Sequence, residues 1–180
     1  MKCYSVLPYE HQDIITNKLV EFVETQTNIL SGEHFWHFVG IKRIMDFIPE
    51  FNDFFAAHNL PRPIISAFVY AGDMQGNIHV DKGRDIRLLW PVMNCAGSKT
   101  RFFHVEEEYI QLVTDNDLVN SPYNTITKPE PYEQLAELEL LEPVVFNSGI
   151  PHGIYCNELA NGPRVSFTMK FSAPIDHLLA

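Results

Sequence analysis

The sequence has few cysteines, a deficit of positive charge and no long hydrophobic run. Its 180 residues include only three cysteines, Cys3, Cys95 and Cys156, too few and too widely spaced for a disulfide framework or a zinc knuckle. The 13 Lys and Arg against 23 Asp and Glu give a formal net charge of −10. This charge disfavours nucleic acids and anionic membranes as partners, because both reward a basic surface. No apolar run reaches the length of about 18 residues that a membrane-spanning helix needs.

The rest of the composition is that of an ordinary globular domain. Hydrophobic residues make up 46% of the chain and charged residues 20%. A chain of this length buries about 70% of its unfolded surface without disulfide staples. Residues 1–5 lack the apolar segment of a signal peptide. We therefore expect a single domain, residues 1–180, with free thiols in a reducing cytoplasm.

The first part of the chain, residues 1–60, has the spacing of apolar residues that is typical of helices. The pattern runs from about residue 12 to residue 30 and returns from Ile41 to Leu60. Pro49 lies inside the second stretch, and it predicts the end of one short helix and the start of another. We expect these helices to support the remainder of the fold.

From residue 64 the pattern changes to short β-strands separated by Gly, Asn and Pro. Pro91 inside one strand pattern indicates an edge or a bulge, and the polar residues 114–132 predict a long loop of the kind that often forms a lid. The fold class is therefore α+β, mainly β with N-terminal helices, and its antiparallel sandwich or barrel spans residues 64–171. The predicted strands are 64–70, 78–81, 86–93, 100–105, 109–113, 144–146, 152–156 and 164–171.

A first candidate for chemistry is the triplet His79-Val80-Asp81. On a strand, residues i and i+2 point to the same face, so His79 and Asp81 would converge from a rigid platform as two metal ligands do. The triplet on its own is weak evidence, because so short a motif also occurs by chance. A second histidine, His152, lies in a Gly- and Pro-marked entry to a later strand, where a side chain can face a pocket.

The strand predicted at 164–171 carries a second kind of candidate. Arg164, Ser166, Thr168 and Lys170 alternate with apolar residues. One interpretation is a half-solvated strand with water on its polar face. The other is a polar face that lines a cavity, where a buried guanidinium needs an anion and suits both oxygens of a carboxylate. Ser166 would then donate a further hydrogen bond to the same group.

Two histidines and one carboxylate form a facial triad that suits non-heme Fe(II). The chain has the motif H-x-D, then a distant His, and then an Arg with a nearby Ser on the next strand. In this order the motif resembles that of the 2-oxoglutarate- and Fe(II)-dependent oxygenases, and the resemblance covers residues 64–171. The resemblance implies a double-stranded β-helix, the jelly-roll core also found in cupins, supported by the N-terminal helices. It implies a hydroxylase in which His79, Asp81 and His152 bind Fe(II). Arg164, assisted by Ser166, would bind the distal carboxylate of 2-oxoglutarate.

The segment Arg87-Leu88-Leu89-Trp90-Pro91 is similar to the aspartyl/asparaginyl β-hydroxylase branch of these enzymes. In that branch an arginine at this place helps to hold the cosubstrate, which would be the role of Arg87. Members of the branch often lack the acidic ligand, whereas this chain has Asp81. The substrate we expect is a small molecule or a peptide, and a basic pocket around Arg84, Arg87 and Arg101 would favour a small anion.

Two other interpretations of the same residues stay open. A cupin-like metal enzyme would use the three ligands without 2-oxoglutarate, and Arg164 would then need no place near the metal. A non-catalytic β-sandwich binding module would not require the His and Asp side chains to meet at all. The positions of Arg164, His79 and His152 therefore distinguish the three interpretations.

Overall fold

Residues 2–26, 36–71, 78–81, 83, 85–111, 123–127, 131–156 and 162–180 are described in a computed structural model of the chain. Within these residues, twelve strands form two six-stranded antiparallel sheets, and three short helices cover one of them. No helix of this described part is both long and apolar enough to cross a membrane.

The elements follow the chain in an order that begins with a strand and a helix. The helices are α1 (Gln12–Glu24), α2 (Ile41–Phe47) and α3 (Phe51–Ala57). Single 3-10 turns occupy Glu107–Tyr109 and Asp176–Leu179. The strands are β1 (Tyr4–Val6), β2 (Trp36–Val39), β3 (Pro63–Ala71), β4 (His79–Asp81), β5 (Ile86–Met93), β6 (Ser98–His104), β7 (Ile110–Gln111), β8 (Tyr123–Ile126), β9 (Glu133–Glu139), β10 (Val144–Asn147), β11 (His152–Cys156) and β12 (Arg164–Phe171).

The strand order defines a jelly roll. The helix-facing sheet has the order β1-β10-β5-β12-β3-β2, and the second sheet has the order β7-β8-β4-β11-β6-β9. From β3 to β6 the chain changes sheet at every step, and it does so again from β9 to β12. This alternation is that of a double-stranded β-helix, so the predicted fold class, mainly β with N-terminal helices, is confirmed.

The main core lies between the helices and the helix-facing sheet. On α1 the buried residues Ile15, Leu19 and Phe22 follow the spacing of an amphipathic helix and face this sheet. On β12, Val165, Phe167, Met169 and Phe171 belong to the same cluster. The alternate residues of β12 therefore face the space between the two sheets, and this orientation places Arg164 and Ser166 at the site described below.

Phe167 allows a direct test of how much this core stabilises the fold. Its ring is fully buried, with ring centroids 4.8 Å from Phe68 and 5.9 Å from Phe51. We expect Phe167→Ala to lower the free energy of unfolding by about 3–5 kcal/mol, because it leaves a cavity that the sheet cannot fill. Phe38, which is 68% exposed, is the matched control: Phe38→Ala should stay within about 0.5 kcal/mol. Urea unfolding measures both values, and equal losses would contradict the assignment of the core.

The helical interpretation of residues 1–60 is wrong at two places. Tyr4–Val6 pairs with β10 and Trp36–Val39 pairs with β3, each as a short outer strand of the helix-facing sheet. Over three or four residues the period of two is too short to recognise in a sequence. Of the predicted helix at 12–30, α1 accounts for residues 12–24, and residues 27–35 lie outside the described part.

The second half contains strands that the sequence did not predict. Tyr123–Ile126 forms β8 inside the segment predicted as a loop, residues 114–132. Residues 114–122 and 128–130 of that segment lie outside the described residues, so the lid stays a prediction. Glu133–Glu139 forms β9, although it consists of good helix formers, because pairing with β6 outweighs the local preference. Pro91 lies in central β5, where the pairing with β12 shifts, so it marks a bulge.

Candidate metal centre and its cavity

The structure brings together the three side chains predicted as metal ligands. His79 and Asp81 project to the same side of β4, and His152, the first residue of β11, pairs directly with His79. One ligand atom from each residue lies within 4.8 Å of the others. The exposed fractions are 7% for His79, 1% for Asp81 and 5% for His152. Three donors are thus clustered in a site that water reaches poorly.

The protonation of His152 suits a metal ligand. Its Nδ1 lies 2.8 Å from the carbonyl oxygen of Ile150, and since a carbonyl only accepts, Nδ1 carries the proton and Nε2 is left as the donor atom. Burial, with a further contribution from nearby His79, lowers the pKa of His152 to about 4. The imidazole is therefore neutral near pH 7, and the neutral form is the one that binds metals.

Asp81 presents one oxygen towards the histidines. Oδ1 lies 3.6 Å from Nε2 of His79, and it has no hydrogen-bond donor among the described residues although it is buried. An unpartnered buried carboxylate oxygen is costly, and a cation would relieve that cost. The donor chemistry of two imidazoles and one carboxylate fits a non-heme iron site with open coordination positions.

The three residues line a cavity between the two sheets. It encloses about 430 Å³ of space between atoms, including its open mouth. Most of its exposed wall area is apolar, and its polar residues come from β4, β6, β11 and β12. The lining residues are Trp36, Val69, His79, Asp81, Leu89, Thr100, Phe146, His152, Ile154, Arg164, Ser166 and Thr168.

Arg164 is a buried cation that has no counter-ion among the described residues. The residue is 1% exposed, and its polar contact is a long hydrogen bond of 3.4 Å from Nη2 to Oγ1 of Thr100. Nε and Nη1 have no partner among the described residues. Because an unpaired buried guanidinium is strongly unfavourable, its place in the wall indicates an anionic ligand. Ser166, also 1% exposed, lies on the same face of β12 and lines the same cavity.

Two of the other predicted arginines, Arg87 and Arg101, are not among the residues that line the cavity. Arg87 pairs with Asp81 and Asp85, so its guanidinium contacts a carboxylate that lines the cavity without being a lining residue itself. Arg101 pairs with Glu137 and lies over the ring of Tyr155. Arg84 lies outside the described residues. The predicted basic pocket and the cosubstrate role of Arg87 stay predictions.

Sequence reasoning missed several residues of the wall. Trp36 lies on β2, within the region predicted as helical, and the four residues of this strand carry no signal that would reveal it. Thr100, Phe146 and Ile154 lie on correctly predicted strands, and the period of two could have assigned them to the inner face. Ser148, which is fully buried, accepts a hydrogen bond from the backbone N–H of Asp81 through its carbonyl. Only the fold shows that contact.

No family model matches the chain, and no curated protein matches it either. Solved structures align with it at low identity. HygX from Streptomyces hygroscopicus, in its apo form, gives a TM-score of 0.49 with 9% identity over 93% of this chain and 81% of that one. HygX with nickel and 2-oxoglutarate bound gives a TM-score of 0.47 with 8% identity, over 95% of this chain and 83% of that one. An L-ribose isomerase from Cellulomonas parahominis gives a TM-score of 0.37 with 13% identity, over 97% of this chain and 90% of that one. Because each TM-score is below 0.5, the function has to be inferred from the side chains of the site.

Proposed function

We propose that the chain is an Fe(II)- and 2-oxoglutarate-dependent oxygenase, which hydroxylates a small-molecule or peptidyl substrate and releases succinate and CO2. One observation carries this proposal. A cluster of two histidines and a carboxylate shares a cavity with Arg164, whose buried guanidinium has no counter-ion among the described residues. A metal site alone would explain the cluster, but it would leave Arg164 unexplained.

Five residues of the cavity have a specific role in this proposal. His79, Asp81 and His152 hold Fe(II), which when bound supplies the oxidative chemistry. Arg164 binds the distal carboxylate of 2-oxoglutarate with two N–H groups of its planar fork, and Ser166 donates to the same carboxylate. These contacts orient the cosubstrate, while the apolar wall excludes water from the reacting centre.

The charges of the filled cavity support the same assignment. The two negative charges of 2-oxoglutarate and that of Asp81 balance the two positive charges of Fe(II) and that of Arg164. Burial of charge is tolerated when the charges are paired. The metal would bind Oδ1 of Asp81, which has no hydrogen-bond donor among the described residues, and 2-oxoglutarate would pair with the guanidinium of Arg164. In a cupin-like enzyme without 2-oxoglutarate, or in a binding module, the guanidinium would need another anion as its partner.

The net charge and the segment 87–91 bear on the substrate and the partners of the protein. We propose a small molecule or peptide as substrate and no nucleic acid or membrane as partner, since the net charge is −10. The similarity of residues 87–91 to the aspartyl/asparaginyl β-hydroxylase branch supports amino acids and peptides as the first substrates to test.

An anaerobic titration tests the proposal. Fe(II) is added to the ligand-free protein with and without 2-oxoglutarate, and we expect a weak visible charge-transfer band only when both are present. If the protein binds the metal but shows neither the band nor any affinity for 2-oxoglutarate, the result favours the cupin-like alternative. If it binds no metal, the result favours the binding module. Succinate release across a panel of free amino acids and peptides then identifies the substrate, and uniform background would remove this substrate class.

A further inference from the structure

Asp81 is held by a second charged residue. Nη1 of Arg87 lies 3.3 Å from Oδ2 of Asp81, and both side chains are largely buried, with 14% and 2% exposed. The other oxygen, Oδ1, is the one nearer to His79. The two oxygens of the carboxylate are thus divided, one towards the guanidinium and one towards the metal cluster.

Arg87 is itself fixed by its neighbours. Nη2 of Arg87 lies 3.9 Å from Oδ2 of Asp85, and Nζ of Lys170 lies 2.6 Å from the same oxygen. The guanidinium carbon lies 5.8 Å from the ring centroid of Trp36, which lines the cavity. An ion-paired row therefore runs from Lys170 through Asp85 and Arg87 to Asp81.

The backbone joins the two carboxylates of this row. The N–H of Asp81 donates to the carbonyl of Ser148 at 3.0 Å, and the N–H and Oγ of Ser148 donate to the carbonyl of Asp85 at 2.9 and 2.7 Å. Gly83, in the turn between β4 and β5, has a φ of +102°, and a Cβ there would lie 2.8 Å from Oδ2 of Asp85. Glycine thus allows the turn to bring Asp85 beside Arg87.

We infer that Arg87 is a positioning residue for the metal-binding carboxylate of Asp81, an inference that rests on the proposed function. By engaging Oδ2, it leaves Oδ1 directed at the metal and prevents the carboxylate from rotating in the site. Outer contacts of this kind orient metal ligands, and their loss typically costs about 10- to 100-fold in metal affinity. This role differs from the direct contact with the cosubstrate that the similarity to the β-hydroxylase branch implied.

The test is an anaerobic calorimetric titration with Fe(II) alone. We expect Arg87→Gln to weaken Fe(II) binding by about 10- to 100-fold, and Arg87→Lys, which keeps the charge but not the planar fork, to lose less. The affinity for 2-oxoglutarate, measured at saturating Fe(II), should change by less than about threefold, because Arg87 does not line the cavity. Arg101→Gln is the matched control, since it removes an arginine paired with Glu137 away from the cavity.

The outcomes separate this inference from the proposed function. Wild-type protein that binds no Fe(II) overturns both. Wild-type protein that binds Fe(II), with unchanged binding in folded Arg87→Gln, overturns only the positioning role. Tighter binding in that variant also overturns it, because Arg87 would then act mainly as a repelling charge. A loss confined to 2-oxoglutarate affinity would make Arg87 a cosubstrate residue instead. Thermal unfolding of the metal-free proteins identifies variants that fail to fold, and Arg87→Lys then decides.

Discussion

Asp81→Asn is expected to abolish high-affinity Fe(II) binding and the charge-transfer band with 2-oxoglutarate. The amide keeps the shape of the carboxylate and can still accept from Arg87, but it has no negative charge to offer the metal. Because the loss of an outer contact alone costs about 10- to 100-fold, we expect the loss of a ligand to exceed 100-fold. Calorimetric titration with Fe(II) under anaerobic conditions measures this change.

A surface aspartate supplies the control for this experiment. Asp46 pairs with Lys42 at i,i+4 on α2, and its side chain is 63% exposed. Asp46→Asn removes the same charge from the chain and should leave Fe(II) binding unchanged. If Asp81→Asn bound Fe(II) as tightly as the wild type, the cluster of His79, Asp81 and His152 would not be the metal site.

Arg164→Met is expected to change binding and stability in opposite directions. Removing the guanidinium deprives the distal carboxylate of its partner, which costs about 2–5 kcal/mol for a buried charge pair, or on the order of 30- to several-thousand-fold in 2-oxoglutarate affinity. The ligand-free protein should become more stable by about 1–4 kcal/mol, because an apolar side chain replaces a buried charge that has no counter-ion in the described part of the chain. Arg164→Lys should lose less affinity, since it keeps the charge but not the bidentate fork.

Two measurements check the change at Arg164. Titration of 2-oxoglutarate at saturating Fe(II) gives the affinity, and urea unfolding of the ligand-free protein gives the stability. Arg101 lies outside the cavity wall, so Arg101→Met should raise neither the free energy of unfolding of the ligand-free protein nor the dissociation constant of 2-oxoglutarate. Unchanged 2-oxoglutarate affinity in Arg164→Met would refute the assignment of the anion site. A large loss of stability would mean that the guanidinium has a structural partner.

A gain in the free energy of unfolding in Arg164→Met would mean that the unpaired guanidinium destabilises the ligand-free protein. A cavity that awaits a charged ligand has to keep its own complementary charge desolvated until the ligand arrives. Within the described residues, Arg164 is such a charge, and Oδ1 of Asp81 is a buried carboxylate oxygen without a hydrogen-bond donor. Binding of the dicarboxylate and of the metal would supply a partner to each.

The sequence predicted the strands that carry the site better than the strands around it. The patterns at 78–81, 86–93, 152–156 and 164–171 correspond to β4, β5, β11 and β12 within a few residues. These strands are framed by Gly, Pro and Asn and are rich in β-formers. The strands β1, β2, β8 and β9 were missed, because they are short or lack β-forming residues and exist through pairing with distant partners.

The sequence by itself determined the fold class, the candidate ligands and the alternation that separates Arg164 and Ser166 from the apolar face of β12. These features depend on local periodicity and on residue types, which a linear pattern preserves. Only the tertiary structure decided that His79 lies opposite His152, that Trp36 lines the cavity and that Arg87 contacts Asp81. These contacts join strands from distant parts of the chain, and their distances depend on how two sheets pack, which no local pattern specifies.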